Sequence, residues 1–125
     1  MDLEQSDLSY LISHKNLIVV VTFIGAFVRE KQAATFDRCL AEILEKNPQW
    51  VVFYFRDMGN KMDAGFYPAF VKLQKAIRDK PAELRLCSLH PELRETLLEK
   101  AIVRKNELSP NLREAFIGYK PNDPK

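Results

Sequence analysis

The sequence predicts an α/β domain: a central, mixed but mainly parallel β-sheet of about four to five strands, with about four helices packed against it. Three observations point that way. Two short runs rich in β-branched and aromatic residues, Leu17 to Phe23 and Trp50 to Phe55, are typical of strands covered on both faces. Between them and after the second, apolar residues recur at helical spacing, which makes amphipathic helices. No repeat, low-complexity block or linker breaks the alternation, and strands alternating with helices build right-handed βαβ units with parallel pairing. A chain of 125 residues fits a single domain, with its core expected over about residues 17–117 and a polar, proline-bearing tail at 118–125.

In chain order, the first polar stretch leads to Leu8, Tyr10 and Ile12, an alternation broken by Leu11 that predicts a short edge strand. His14 falls in the loop that follows. LIVVVTF, Leu17 to Phe23, is the clearest strand, and Gly25 marks a bulge or bend where the chain leaves the sheet. From Glu30 to Lys46, Ala33, Phe36, Leu40, Ile43 and Leu44 form one apolar stripe, with Lys31, Asp37, Arg38, Glu42 and Glu45 on the other face. Asn47-Pro48 ends this helix, because proline disfavours helical backbone in the residue before it. The stretch from Trp50 to Ile77 then carries a strand, a glycine-containing turn and a helix whose stripe is Phe66, Ala69, Phe70, Leu73, Ala76 and Ile77.

Asp79-Lys80-Pro81 breaks the chain again. Glu83 to Cys87 alternates Leu84 and Leu86 with Arg85, a strand with one partly wet face or an edge. His90-Pro91 opens a helix, with Pro91 at the first helical position, Glu92 near the positive end, and Leu93, Leu97, Leu98 and Ala101 as its buried side. Ile102-Val103 is expected to form a small last strand, and Ser109-Pro110 with Glu114 the start of a closing helix running to about Ile117.

Composition narrows the function. Nineteen Lys and Arg against seventeen Asp and Glu leave a net charge of +2 with the signs interspersed, which is not the footprint of a nucleic-acid binder. The longest apolar run, Leu17 to Val28, is interrupted by Thr22 and Gly25 and is too short to span a bilayer. Asp2, Glu4 and Asp7 argue against a signal peptide. Cys39 and Cys87 lie in different elements without metal-type spacing, so a reducing, cytoplasmic setting is expected.

The candidate chemical groups have simple structural explanations. His14 and His90 have no second imidazole or cysteine at ligand spacing, so no zinc motif exists and no cofactor is expected. Ser88 and Ser109 lack a nucleophile-elbow pattern and suit capping or turns. Gly59 and Gly65 lack the Lys-Ser/Thr ending of a phosphate-binding loop. Asp57 and Asp63 flank the turn as turn formers, with Asp63 a candidate N-cap of the next helix. Trp50 and Tyr54 are core or half-buried strand aromatics.

From about Leu17 to Ile117 the order of motifs resembles the STAS domain, shared by sulphate-transporter tails and bacterial anti-sigma factor antagonists. LIVVVTFIGAF is similar to the early strand ending in Gly-Glu-Leu-Asp. WVVFYFRDM is similar to the central strand ending in an aspartate, and MDAGFYPAFVKL to the Asp-Ser-Ser-Gly-Leu turn leading into a helix. ELRLCSLHPELRETL and ELSPNLREAF are similar to the next strand and helix and to the closing helix. In the antagonists a kinase phosphorylates a serine of that turn, and the charge controls binding to an anti-sigma factor kinase. Here no serine or threonine occurs between Trp50 and Ile77. If Gly65 matches the motif glycine without a gap, Ala64 stands at the phosphoacceptor position, Asp63 at the preceding serine and Met62 at the aspartate. With one residue deleted, Asp63 keeps the aspartate role. Ala26 and Val28 replace the acidic residues of the early motif.

The resemblance implies a non-catalytic protein-interaction domain in bacterial signalling or transcriptional regulation, without the phosphoacceptor. Its partner surface would centre on Asp57, Gly59, Asp63, Ala64, Gly65 and Phe66 and extend along Tyr67 and Lys72. An anti-sigma factor kinase or another STAS-type regulator is the implied partner, and an edge strand at Leu8 to Ile12 suggests a homodimer. The competing expectation is a sensor of nucleotides or acyl compounds at the Gly59 to Gly65 turn. A catalytic set of Asp57, Asp63 and His90 comes third.

Overall fold

The computed structural model describes residues 9–24, 34–55 and 67–119. A five-stranded sheet runs in the order β1-β2-β3-β4-β5: Ser9–Lys15, Ile18–Ile24, Trp50–Tyr54, Glu83–Cys87 and Leu108–Ser109. β1 pairs antiparallel with β2, and the other three pairings are parallel. Helices α1 (Ala34–Glu45), α2 (Tyr67–Arg78) and α3 (Pro91–Glu99) fill the connections. The mixed, mainly parallel α/β sheet read from the sequence is therefore the fold that forms.

Strand pleating sorts the core into two clusters. Val19, Val21, Phe23, Val51, Phe53, Leu84 and Leu86 point toward the helices and pack with Phe36, Ile43, Phe70, Leu73, Ile77, Leu93 and Leu97. Phe23 is the hub, its ring centroid 5.4 Å from Phe53 edge-on, 5.3 Å from Phe55 stacked and 5.8 Å from Phe36 edge-on. On the opposite face Trp50, Val52, Cys87 and Ala115 are buried, with Leu112, Phe116 and Tyr119 laid over them. The indole N–H of Trp50 donates to the Ala115 carbonyl at 3.0 Å, Tyr119 meets the indole edge-on, and the Arg85 guanidinium sits 4.6 Å from its centroid.

Two helix ends follow from left-handed residues. α1 stops where Asn47 takes φ +49° and its N–H bonds the Leu44 carbonyl; Pro48 has no N–H with which to add a second bond. After α3, Ala101 takes φ +58°, its N–H bonds the Leu98 carbonyl, and the Ile102 N–H bonds the Leu97 carbonyl at 2.9 Å. This is a Schellman motif with alanine in the glycine position.

That motif accounts for two differences from the sequence reading. Ala101 is exposed and not part of the buried side of α3. Ile102 and Val103 are buried but not extended: the reversal drops both side chains into the core, and the last strand forms later at Leu108–Ser109. The closing helix is likewise absent as an α-helix. Ser109 belongs to β5, and Asn111 supplies the cap through Oδ1 to the Glu114 N–H at 2.9 Å. Only a 3-10 turn, Glu114–Phe116, forms before Gly118 takes φ +97°, so there is no length in which to propagate a helix. The described residues thus contain three α-helices with a second 3-10 turn at Lys105–Glu107. β1 extends past Ile12 to Lys15, which places His14 in a strand and not a loop. The expected bend at Gly25, together with Ala26, Val28, Lys31 and Ala33, lies outside the described residues.

Candidate functional site

The carboxyl edge of the parallel strands is built by the ends of β3, β4 and β5. Tyr54 pairs in register with Cys87, which pairs with Ser109, and the Phe55 N–H donates to the Cys87 carbonyl at 3.1 Å. Ser88 leaves β4 at φ +61°, and the chain enters α3 through His90 and Pro91. In open parallel sheets this edge is where ligands and partners meet the fold.

Of the nominated surface, Asp57, Gly59, Asp63, Ala64, Gly65 and Phe66 lie outside the described residues. Tyr67 and Lys72 are described, and both belong to α2. Tyr67 is its first residue, half-buried against the core, with the Lys100 ammonium 5.5 Å from its ring centroid. The Lys100 contact is not legible in the sequence, because it joins the start of α2 to the end of α3. Lys72 is exposed and lies 3.6 Å from the Asp37 carboxylate on α1, a solvent-facing pair of small energetic weight. Pro68, Val71 and Lys75 complete an exposed face of α2, while Phe70, Leu73, Gln74 and Ile77 face inward.

The far end of α2 is fixed by a buried polar strut. Arg78 donates from Nε at 2.9 Å and Nη2 at 2.6 Å to the Glu107 carboxylate, and Nη2 also reaches Gln74 Oε1 at 3.0 Å. The Arg104 N–H adds a third donor to Glu107 at 3.2 Å. Charge alternation along α2 gives no sign of this pair.

The remaining chemical candidates sit in structural roles. His90 caps α3, its Nδ1 accepting the Glu92 N–H at 3.2 Å, and its proposed partners Asp57 and Asp63 are outside the described residues. His14 is exposed, with Nε2 2.8 Å from the Asn16 carbonyl. Cys39 and Cys87 are free and buried. Burial pushes each thiol up to about 12, which removes the thiolate needed for nucleophilic or metal chemistry near neutrality. Among the described residues no group of three or more metal-ligating side chains converges, and no helix is long and apolar enough to cross a membrane.

Comparison with known proteins gives a consistent family. The chain superposes on an anti-sigma factor antagonist from Mycobacterium paratuberculosis with a TM-score of 0.72 at 12% identity, covering 88% of this chain and 92% of that one. It matches the anti-sigma factor antagonist SpoIIAA in its unphosphorylated form at 0.65 and 11% identity, covering 87% and 93%. Against SLC26A9 it scores 0.58 at 10% identity, covering 90% of this chain but 24% of that one. These identities establish likeness of fold. No curated protein matches the chain in sequence. The family model described as the STAS domain matches residues 10–115, so the chain belongs to the STAS domain family.

Proposed function

We propose that this domain is a non-catalytic regulator that acts by binding another protein, in the manner of a bacterial anti-sigma factor antagonist lacking the phosphoacceptor. The observation that carries the reading is the exposed face of α2, opening with Tyr67 at the carboxyl edge of the sheet in a chain of the STAS family. A half-buried tyrosine held by its own core contacts presents a rigid aromatic surface to a partner at small entropic cost. The region Trp50 to Ile77 contains no serine or threonine, so the domain holds one binding state or is regulated elsewhere.

The partner surface runs from the β3–α2 connection, including Asp57, Gly59, Asp63, Ala64, Gly65 and Phe66, along Tyr67 and Lys72. An anti-sigma factor kinase or a second STAS-type regulator fits this role. Affinity capture from the native cytoplasm, followed by titration of the purified partner, is the test. Tyr67→Ala and Lys72→Glu, with circular dichroism confirming the fold, are expected to weaken binding, Tyr67→Ala by about tenfold or more. A partner that binds both variants as tightly as the wild type would overturn this surface.

A further inference from the structure

Among the described residues, β1 is a seven-residue edge strand whose one lysine, Lys15, stands at its very end. Its register with β2 runs from Ser9↔Ile24 to Lys15↔Ile18 with no bulge, it contains no proline, and no strand covers its outer side among the described residues. The direction of its free backbone groups is set by β2. The Leu17 carbonyl accepts from the Gln49 and Trp50 N–H groups, so the odd-numbered residues of β2 bond toward β3 and the even-numbered ones toward β1. Ile18 therefore bonds to Lys15, Val20 to Ser13 and Thr22 to Leu11. Tyr10, Ile12 and His14 are left with their N–H and C=O groups directed outward.

We propose that this edge pairs with β1 of a second copy of the chain, antiparallel about a two-fold axis at Ile12, to give one continuous ten-stranded sheet. Outward-bonding residues can pair only with outward-bonding residues, and this register is the one that uses all three. Ile12 meets Ile12, and Tyr10 meets His14 on each side of the axis. Leu11 then stands opposite Ser13, and Ser9 opposite Lys15.

Two features fit a second copy. Leu11 is 62% exposed on the face away from the helices, a large apolar side chain that gains a neighbour across the joint. On the helix side, a groove between β1 and α1 is lined by Tyr10, Ile12, Arg38, Glu42 and Lys46, and the Tyr10 hydroxyl donates to Glu42. The incoming strand brings His14, which shares the helix-side face with Tyr10, beside Glu42, once on each side of the axis. The two Lys15 residues stand at opposite ends of the joint, so the symmetric arrangement does not set like charges together.

The test is the association state of the full chain by analytical ultracentrifugation, at concentrations up to hundreds of micromolar. The wild type is expected to dimerise. Ile12→Pro removes an outward N–H without touching the bonds to β2 and should weaken the dimer by about tenfold or more. Because proline could perturb the strand, a second variant carries Leu11→Cys and Ser13→Cys, both exposed, at a pair that the register sets directly opposite each other. Mild oxidation should give a covalent dimer, whereas Val71→Cys on the exposed face of α2 should not. A wild type that stays monomeric, or a dimer that survives Ile12→Pro and fails to crosslink at Leu11 and Ser13, would overturn the proposal. Neither result bears on binding through α2.

Discussion

Removing Glu107 tests whether the strut under α2 is a net stabiliser or a buried liability. Glu107 is 7% exposed at its side chain and takes three donors, two from Arg78 and one from the Arg104 N–H; Arg78 is 19% exposed. Glu107→Ala strands the guanidinium with Gln74 Oε1 as its remaining close acceptor. Breaking one side of a buried pair costs about 3–5 kcal/mol. Partial access of water to Arg78 places this case at the low end, about 3 kcal/mol, equivalent to a fall in Tm of about 10 °C for a chain of this size. Urea titration followed by circular dichroism measures the loss. The paired replacement Arg78→Met with Glu107→Leu removes both charges and refills the space, so it should return to within about 1 kcal/mol of the wild type. A single variant losing less than about 1 kcal/mol, or a double variant as damaged as the single, would refute this account of the strut.

Four further outcomes are expected. Phe23→Ala empties the position at which Phe36, Phe53 and Phe55 meet and should cost about 3–5 kcal/mol by chemical denaturation. Ala101→Gly should stabilise the protein, by up to about 1 kcal/mol, because relief of the left-handed strain exceeds the added freedom of the unfolded chain; a loss of stability would count against the Schellman assignment. Stability should decline as pH rises from 9 toward about 12. In that window the unfolded chain releases the Cys39 and Cys87 protons that the folded chain keeps, with a slope of at most ~1.4 kcal/mol per pH unit for each thiol and none from them below pH 9; replacing both cysteines by alanine should remove the part of the decline that begins at pH 9 and leave that of Tyr10, whose hydroxyl is held up to about 12 by burial and by Glu42 and which contributes only above pH 10. Incubation with ATP and a kinase that acts on the matching turn of relatives should leave no hydroxyl phosphate between Trp50 and Ile77 except on Tyr54 or Tyr67, and stoichiometric phosphate there by mass spectrometry would end the fixed-state reading.

What can be read from the chain tracks how local the determining physics is. β2 and β3 announce themselves through consecutive β-branched and aromatic residues, β4 through the alternation of Leu84 and Leu86 with Arg85, and α1, α2 and α3 through apolar spacing. The bounds of β4 agree to the residue, and the His90-Pro91 start of α3 likewise. β1 reads short because Leu11 breaks the alternation, and the structure shows why: it is a large apolar residue left on the exposed face. A strand of two residues such as β5 carries no periodic signal, so the apolar pair Ile102-Val103 takes its place in the reading although its burial comes from a chain reversal. In the site, Tyr67 and Lys72 are legible as residues of one helix. Lys100 over Tyr67 and Arg78 on Glu107 are not, because nothing in a one-dimensional pattern connects residues that only the packing of separate helices and turns brings together.

Trp50 is the sole tryptophan, and it lies at the start of β3 beneath the segment that closes the chain. Its emission therefore senses the local dielectric under Ala115 and Tyr119 rather than the Phe23 aromatic cluster on the other face of the sheet. The molecule carries a built-in optical reporter for one side of itself. Should the closing segment lift before the helices melt, fluorescence would shift to the red at a lower denaturant concentration than the loss of helical ellipticity. The two probes together divide peeling of the back layer from collapse of the whole domain.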